Sequence, residues 1–377
     1  MLRVRTKSGA SYSRFLASGE SAPPASPLDA ATLADFGYAY VASSTTAEER
    51  AAHDASAGYP RFDTATRLMT RPTNTERFAF RGEAHYTKLK ALVRGEVRAR
   101  LAAELGLVEL DAARAATLCP ARLRERAAVK VFHSAEAFTS TAPLLVLVHG
   151  SGDVRAGLWA LRLATSESLE QGCCFGYIER AVARGWNVLL LDSNLANFVP
   201  KEQRDGLGRA AESEHVVLAW DALIAPAAAR AVAFVAHSAG GRGVLDLVGA
   251  RRRDIVLTPR VAAIALTDAV HPAATRAPFL TTQSDPELHA FLATRSCDWV
   301  QVAEPAARGS RVGAPVPYAS HTRGAGFRAA SGWLGAAHVD GDPIPLRSAG
   351  TDAHVWTSWC AMEDVFRFLD AKLAAAV

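Results

Sequence analysis

Apolar residues along this chain gather into short unbroken runs: VKVFH from residue 129, LLVLV at 144–148, NVLLLD at 187–192, AVAFVA at 231–236, VAAIALT at 261–267 and WVQVA at 299–303. A strand that faces water on one side alternates apolar and polar residues, whereas these do not, so both faces are expected to be covered. Between the runs the spacing predicts helices over about 157–165, 174–184, 211–228, 240–250, 286–295 and 361–375. Strands alternating with helices give an α/β fold: a mostly parallel twisted sheet with helices on both faces.

The ends and one interior stretch depart from this pattern. Residues 1–32, with SAPPASP at 21–27, show no apolar periodicity and are expected to be a disordered or targeting lead-in. Residues 33–128 carry FGYAYV, FAFRG at 78–82 and an Ala, Arg and Leu-rich stretch at 83–106 with helical spacing, which predicts an N-terminal cap segment ahead of the main domain, 129–377. Residues 305–350 are rich in Gly, Ala, Pro and Ser and read as a loop insertion. Phe327, Trp333 and Leu334 would make it either an apolar lid over a pocket or an inert loop tied down by three anchors.

Composition narrows the class. The 377 residues are 49% hydrophobic and 21% charged, enough for a large core, and no apolar run approaches the roughly 18 residues of a membrane span. A net charge of +4, from 42 basic against 38 acidic residues, is too small to argue for nucleic-acid binding. Arg251, Arg252 and Arg253 follow a predicted helix and read as a solvated helix end that complements the dipole, with a phosphate contact as the alternative. The cysteines Cys119, Cys173, Cys174, Cys297 and Cys360 lack C-x-x-C spacing and are odd in number, so neither a zinc site nor a disulfide framework is expected. That favours nucleus or cytoplasm. The first nineteen residues carry Arg3, Arg5, Lys7, Arg14 and no acid, a faint likeness to an organellar transit peptide. No metal or cofactor is expected.

The run at 231–236 continues into HSAGGRGV, a strand passing through a serine among small residues into a helix. That is the pattern of a nucleophile elbow with Ser238 at its tip, where a strained turn admits only small neighbours such as Ala236, Ala239, Gly240 and Gly241. Upstream, LLVLVHGSG ends in the kind of glycine-bearing loop that brings backbone N–H groups to a developing oxyanion, with Gly150 or Ser151 and Ala239 as candidate donors. The ordinary alternative is a Gly-rich turn without a ligand. A serine becomes nucleophilic only if a histidine takes its proton and a carboxylate orients that histidine, in the chain order Ser, acid, His. His354, in the polar loop AGTDAH before the last helix, is the candidate base, although Thr351 and Asp352 also suit a plain helix start. His271, His289, His321 and His338 are less well placed. Two acids stand open: Asp268 in ALTDAVH and Glu304 in WVQVAEP, each at a strand end.

These segments, LLVLVHGSGDVRAGLWALRL (144–163), IERAVARGWNVLLLDSN (178–194), EHVVLAWD (214–221), FVAHSAGG (234–241), ALTDAVH (265–271), WVQVAEP (299–305) and AGTDAHVWTSW (349–359), resemble the Argonaute-binding (Arb-type) domain family, whose animal members are called cotranscriptional regulators. The resemblance covers about residues 33–377, with 306–345 an addition. It implies an α/β-hydrolase fold with the presumed nucleophile on Ser238 and with Asp268 and His354 in the family's LTD and TDxH segments, which tips the acid toward Asp268. It also implies a setting in nuclear RNA silencing, heterochromatin formation or splicing control, with an Argonaute or chromatin protein as partner. Ala239 departs from the bulkier residue expected after the serine.

Two functions are therefore weighed: a serine hydrolase acting on ester bonds of a small acyl substrate, and a non-catalytic scaffold on a hydrolase fold. Trp159 and Trp220 are expected in the core. Arg155 is expected either to bind an anionic group or to pair with Asp153 or Asp192.

Overall fold

The computed structural model describes residues 11–15, 31–33, 38–42, 82–123, 128–195, 208–258, 260–271, 285–302, 312–317 and 343–376. The chain divides into two compact units, Met1–Glu104 with Gly157–Gly176, and Leu105–Ala156 with Tyr177–Val377.

In the first unit, β1 (Ser11–Phe15) pairs antiparallel with β2 (Tyr38–Ala42). A strand thus falls inside the stretch read as a lead-in. Helix α1 (Glu83–Ala103) buries Leu89, Val93, Val97 and Leu101, one residue per turn, as the helical spacing of that stretch predicts. In 157–176, two short helices, α2 (Leu161–Ser166) and α3 (Leu169–Gly172), are closed by the amides of Trp159 and Ala160, which both donate to the Gly172 carbonyl. Trp159 is buried, as expected.

The second unit carries, among the described residues, an eight-stranded sheet: β3 (Val108–Glu109), β4 (Phe132–His133), β5 (Leu144–Val148), β6 (Asn187–Leu191), β7 (Val232–His237), β8 (Val261–Thr267), β9 (Ser296–Val300) and β10 (Leu346–Ser348). Their order is β10-β9-β8-β7-β5-β6-β4-β3. From β6 to β10 every pairing is parallel, and β4 runs antiparallel to both its neighbours. Every residue of β5 through β9 is buried, which is why β5 through β8 read as nearly unbroken apolar runs. This is the α/β-hydrolase fold. Helices α4 (Phe175–Ala183), α5 (Gly208–Ala219), α6 (Ala239–Ala250), α7 (Arg252–Val256), α8 (Pro286–Arg295) and α9 (Thr357–Ala374) link the strands and close the chain.

Differences from the sequence reading are local. β9 lies at 296–300 rather than 299–303 and includes the buried polar residues Ser296 and Asp298, which interrupt its apolar signal. α5 ends at Ala219 and continues as a π-helical turn, Trp220–Ile224, that puts the buried Trp220 ring over Phe234 of β7 at 6.4 Å. α9 starts at Thr357, four residues earlier than predicted. Of the arginine run, Arg251 pairs with Asp221, and Arg252 with Asp285 and Glu287. All five cysteines are buried and unbridged. Among the described residues no helix is long and apolar enough to cross a membrane.

The sheet order places the site. The chain goes from β5 to β6 on one side, then crosses back to β7 on the other, so the loops leaving β5 and β7 diverge from adjacent strand ends. In open parallel sheets such a switch point opens the crevice where ligands bind.

Candidate catalytic site

Ser238 stands between β7 and α6 with φ 55° and ψ −124°, a backbone region that L-residues rarely adopt. Among the described residues only one other non-glycine has positive φ, and it is Asp268, at 48°. Strain of this kind costs about 1–3 kcal/mol per residue and persists only where the surroundings enforce it. Here they do: Ser238 N–H donates to Thr267 O at 3.2 Å, and the amides of Gly241 and Val270 donate to Ser238 O at 3.1 and 2.8 Å. Close packing accounts for the glycine after the turn. A Cβ on Gly240 would lie 2.5 and 2.6 Å from the carbonyl oxygens of Val148 and His149, so only glycine lets α6 begin this near the end of β5.

Asp268 follows β8. Its amide donates to Trp299 O at 2.8 Å and its side chain is 1% exposed. Oδ1 accepts from Gln301 N–H at 3.4 Å, and Oδ2 accepts from Nδ1 of His354 at 2.6 Å. A carboxylate can only accept, so Nδ1 carries the ring proton and Nε2 is left as the basic nitrogen. His354 opens the 3₁₀ turn His354–Trp356 ahead of α9, and its side chain is 35% exposed. Thr351 caps the preceding loop by accepting from Ala353 N–H at 3.1 Å, while Thr357 donates to His354 O at 2.9 Å.

The sequence reading missed a partner in plain view. His237, adjacent to Ser238, lies under the His354 ring at 4.7 Å between centroids and 30° between planes. It is buried, and its Nδ1 donates to Thr267 O at 2.8 Å. Burial, and then the nearby His354, push its pKa down to about 3, so it is a neutral imidazole.

Two of the candidate donor residues, Ala239 and Gly150, adjoin this corner. Ala239 holds the first position of α6, where an N–H has no intrahelical acceptor. Gly150 lies directly over the serine: a Cβ on it would be 2.8 Å from Ser238 Cβ and 3.3 Å from Oγ. Among the described residues, the amides of Gly150 and Ser151 make no backbone hydrogen bond.

The structure therefore joins Asp268 to His354 directly, stacks His354 on the residue before Ser238, and brings Gly150 against Ser238. Among the described residues no hydrogen bond joins the Ser238 hydroxyl to His354; such contacts often tighten only with substrate bound. Glu304, His321 and His338, and the flap residues Phe327, Trp333 and Leu334, lie outside the described residues. His271, set aside as a base, instead pairs with Asp298 at 3.2 Å, both side chains fully buried. Arg155 pairs with Asp192, one of its two expected partners. Among the described residues, no group of three or more His, Cys, Asp or Glu side chains is placed to hold a metal ion.

No family model matches the chain. It is 28% identical over 288 residues to the Cotranscriptional regulator ARB2A of Homo sapiens, covering 63% of this chain and 61% of that protein. A FAM172 family protein homolog of Caenorhabditis elegans is 29% identical over 296 residues, covering 78% of this chain and 80% of that one. The chain thus spans about three fifths of the length of the human relative. Among solved structures it is similar to a histone deacetylase from Saccharomyces cerevisiae, at 15% identity and a TM-score of 0.46, covering 75% of this chain and 98% of that chain.

Proposed function

We propose that this ARB2-like protein, with its α/β-hydrolase fold, is a serine hydrolase acting on ester bonds of a small acyl substrate. The observation that carries the reading is the conjunction of a serine in a strained turn with a His354–Asp268 hydrogen bond of 2.6 Å across the same corner.

In this reading, Ser238 Oγ attacks the acyl carbon as His354 Nε2 takes its proton, and Asp268 holds the ring in the required tautomer and stabilises the imidazolium that forms. The carbonyl oxygen becomes an oxyanion between the amides of Ala239 and of Gly150 or Ser151. His354 then gives its proton to the leaving alcohol oxygen, which departs as the acyl-enzyme forms. Water repeats the sequence, with His354 again as base, and returns the acid product and free Ser238. The steps call for no cofactor.

A second reading is supported by the name of the relatives, cotranscriptional regulators. In it the hydrolase fold is a platform for an Argonaute or chromatin protein in the nucleus, with the serine silent.

Labelling purified protein with a fluorophosphonate probe separates the two. The hydrolase reading expects labelling of the wild type that is lost in both Ser238→Ala and His354→Ala. A folded wild type that does not label overturns it and leaves the scaffold.

A further inference from the structure

The loop that leaves β5 rests on a buried polar cluster that the proposed reaction does not use. His149 Nδ1 lies 2.8 Å from the carbonyl oxygen of Gly150. A carbonyl only accepts, so Nδ1–H is the donor. In a trans peptide the C=O and N–H point in opposite directions. Holding Gly150 O therefore fixes the direction of the next amide, Ser151 N–H, a candidate oxyanion donor.

His149 is flanked from the end of β6. Its Nε2 faces Oδ1 of Asp192 at 3.6 Å, just beyond hydrogen-bond reach, and the two atoms are buried. Asp192 has no exposed surface, and burial alone would raise its pKa. The Arg155 guanidinium and His149 instead hold it down to about 2. Its Oδ2 accepts from Arg155 and from Lys130 N–H at 2.8 Å, and Arg155 also donates to Ala128 O at 2.6 Å. The Asp192 amide donates to Nε2 of His215, whose Nδ1 donates to Leu118 O at 2.8 Å. The next two residues grip the same loop. Ser193 donates to His149 O at 3.3 Å, and the Asn194 amide donates to the carbonyls of Gly152 and Val154.

A fully buried carboxylate, two buried histidines and a buried amide are costly to place in a core. Here the bonds of His149, Ser193 and Asn194 converge on one six-residue loop, 149–154, that also meets Ser238. We propose that His149 is a positioning residue, backed by Asp192 and Arg155, that sets the Gly150–Ser151 peptide as an oxyanion donor, with Ser193 and Asn194 fixing the rest of the loop. The proposal rests on the hydrolase reading and assigns a role that its triad leaves empty.

The test compares fluorophosphonate labelling rates and p-nitrophenyl ester turnover in wild type, Ser238→Ala, His149→Ala, His149→Asn and His149→Gln. An Asn side chain can place its amide nitrogen near the Nδ1 position, and a Gln near Nε2. His149→Ala is expected to slow labelling and kcat by about 10- to 100-fold with KM nearly constant, somewhat less than the ~10²–10³ of deleting an oxyanion donor outright. His149→Asn restores most of the rate and His149→Gln does not. A purely structural role would lower the amount of folded protein alike in Asn and Gln and leave the rate of the folded fraction unchanged. Asn no better than Ala, or wild-type rates in all three, overturns the proposal while the hydrolase reading stands. A wild type that does not label overturns both. Should His149→Ala fail to fold, ¹⁵N-histidine NMR of the wild type decides: a protonated Nδ1 on His149 supports the clamp and a bare Nδ1 overturns it.

Discussion

The amide of Val270 donates to the carbonyl oxygen of Ser238 at 2.8 Å. That single bond ties the turn after β8 to the turn after β7. The two turns hold the two non-glycine residues with positive φ among the described residues, Ser238 and Asp268. Neither turn is relaxed by itself, and each supplies an acceptor or donor that holds the other. Strain at one end of the proposed triad is thus shared with strain at the other.

Removing the cause of that strain should stabilise the protein. Ser238→Gly can adopt φ 55°, ψ −124° without a Cβ penalty, so it is expected to raise stability to urea by about 1 kcal/mol while abolishing labelling. Ser238→Ala keeps the Cβ and is expected to gain little. Equal unfolding midpoints for wild type and the glycine variant would show that the turn stores no strain.

The acid can be assigned by kinetics. In Asp268→Asn the amide can donate toward Nδ1 and so favours the wrong tautomer of His354. The comparable change in a serine triad costs about 10⁴ in kcat. Asn tolerates positive φ as well as Asp does, so the fold should hold, which circular dichroism can check. A comparable loss in Glu304→Gln, with Asp268→Asn at the wild-type rate, would move the acid to Glu304.

Much of this was legible in the sequence, for physical reasons that differ by element. β5 and β8 announced themselves because a strand covered on both faces has no polar positions. β9 was displaced by three residues because Asp298, buried against His271 and the Ala269 amide, breaks its apolar run. β10 has three residues and β3 and β4 two each, too short for any periodicity to register. The elbow and the loop after β5 are local patterns and could be read locally. The choice of acid could not, since the His354–Asp268 bond joins residues far apart in the chain. The Asp192 cluster is half legible: the sequence offers Asp192 as a possible partner of Arg155, yet nothing in the order of residues shows that His149 stands on the other side of it.

Space around the elbow should be as restrictive as its backbone. An alanine methyl at position 240 would sit 2.5 Å from Val148 O and 2.6 Å from His149 O, both main-chain atoms that no side-chain rotation can move. Gly240→Ala must push α6 away from β5, with an overpacking cost of about 1–3 kcal/mol. Because His149 begins the proposed oxyanion loop, labelling should slow as well as stability fall. A variant with wild-type melting and wild-type labelling would mean that the two elements do not approach this closely.

Stability should fall in mild acid because of buried histidines rather than carboxylates. Burial first of all lowers His237 to about 3 and His215 to about 4, whereas both have ordinary values near 6.5 in the unfolded chain. Below about pH 6.5 the unfolded state therefore binds protons that the folded state refuses. Each histidine then removes roughly 1 kcal/mol per pH unit, down to about pH 4 for His215 and about pH 3 for His237. Asp192 acts later. Its folded value of about 2 lies below the ordinary 3.8, so its contribution is intact above that value and is lost only as pH falls from there toward 2. Urea midpoints measured at about pH 7.5, 6 and 5 should decline across the last two, and the slope should lessen in His237→Asn, which keeps a donor for Thr267 O but has no proton to gain. An unchanged slope in that variant would mean that His237 is not held neutral, and would remove it as the uncharged ring on which His354 rests.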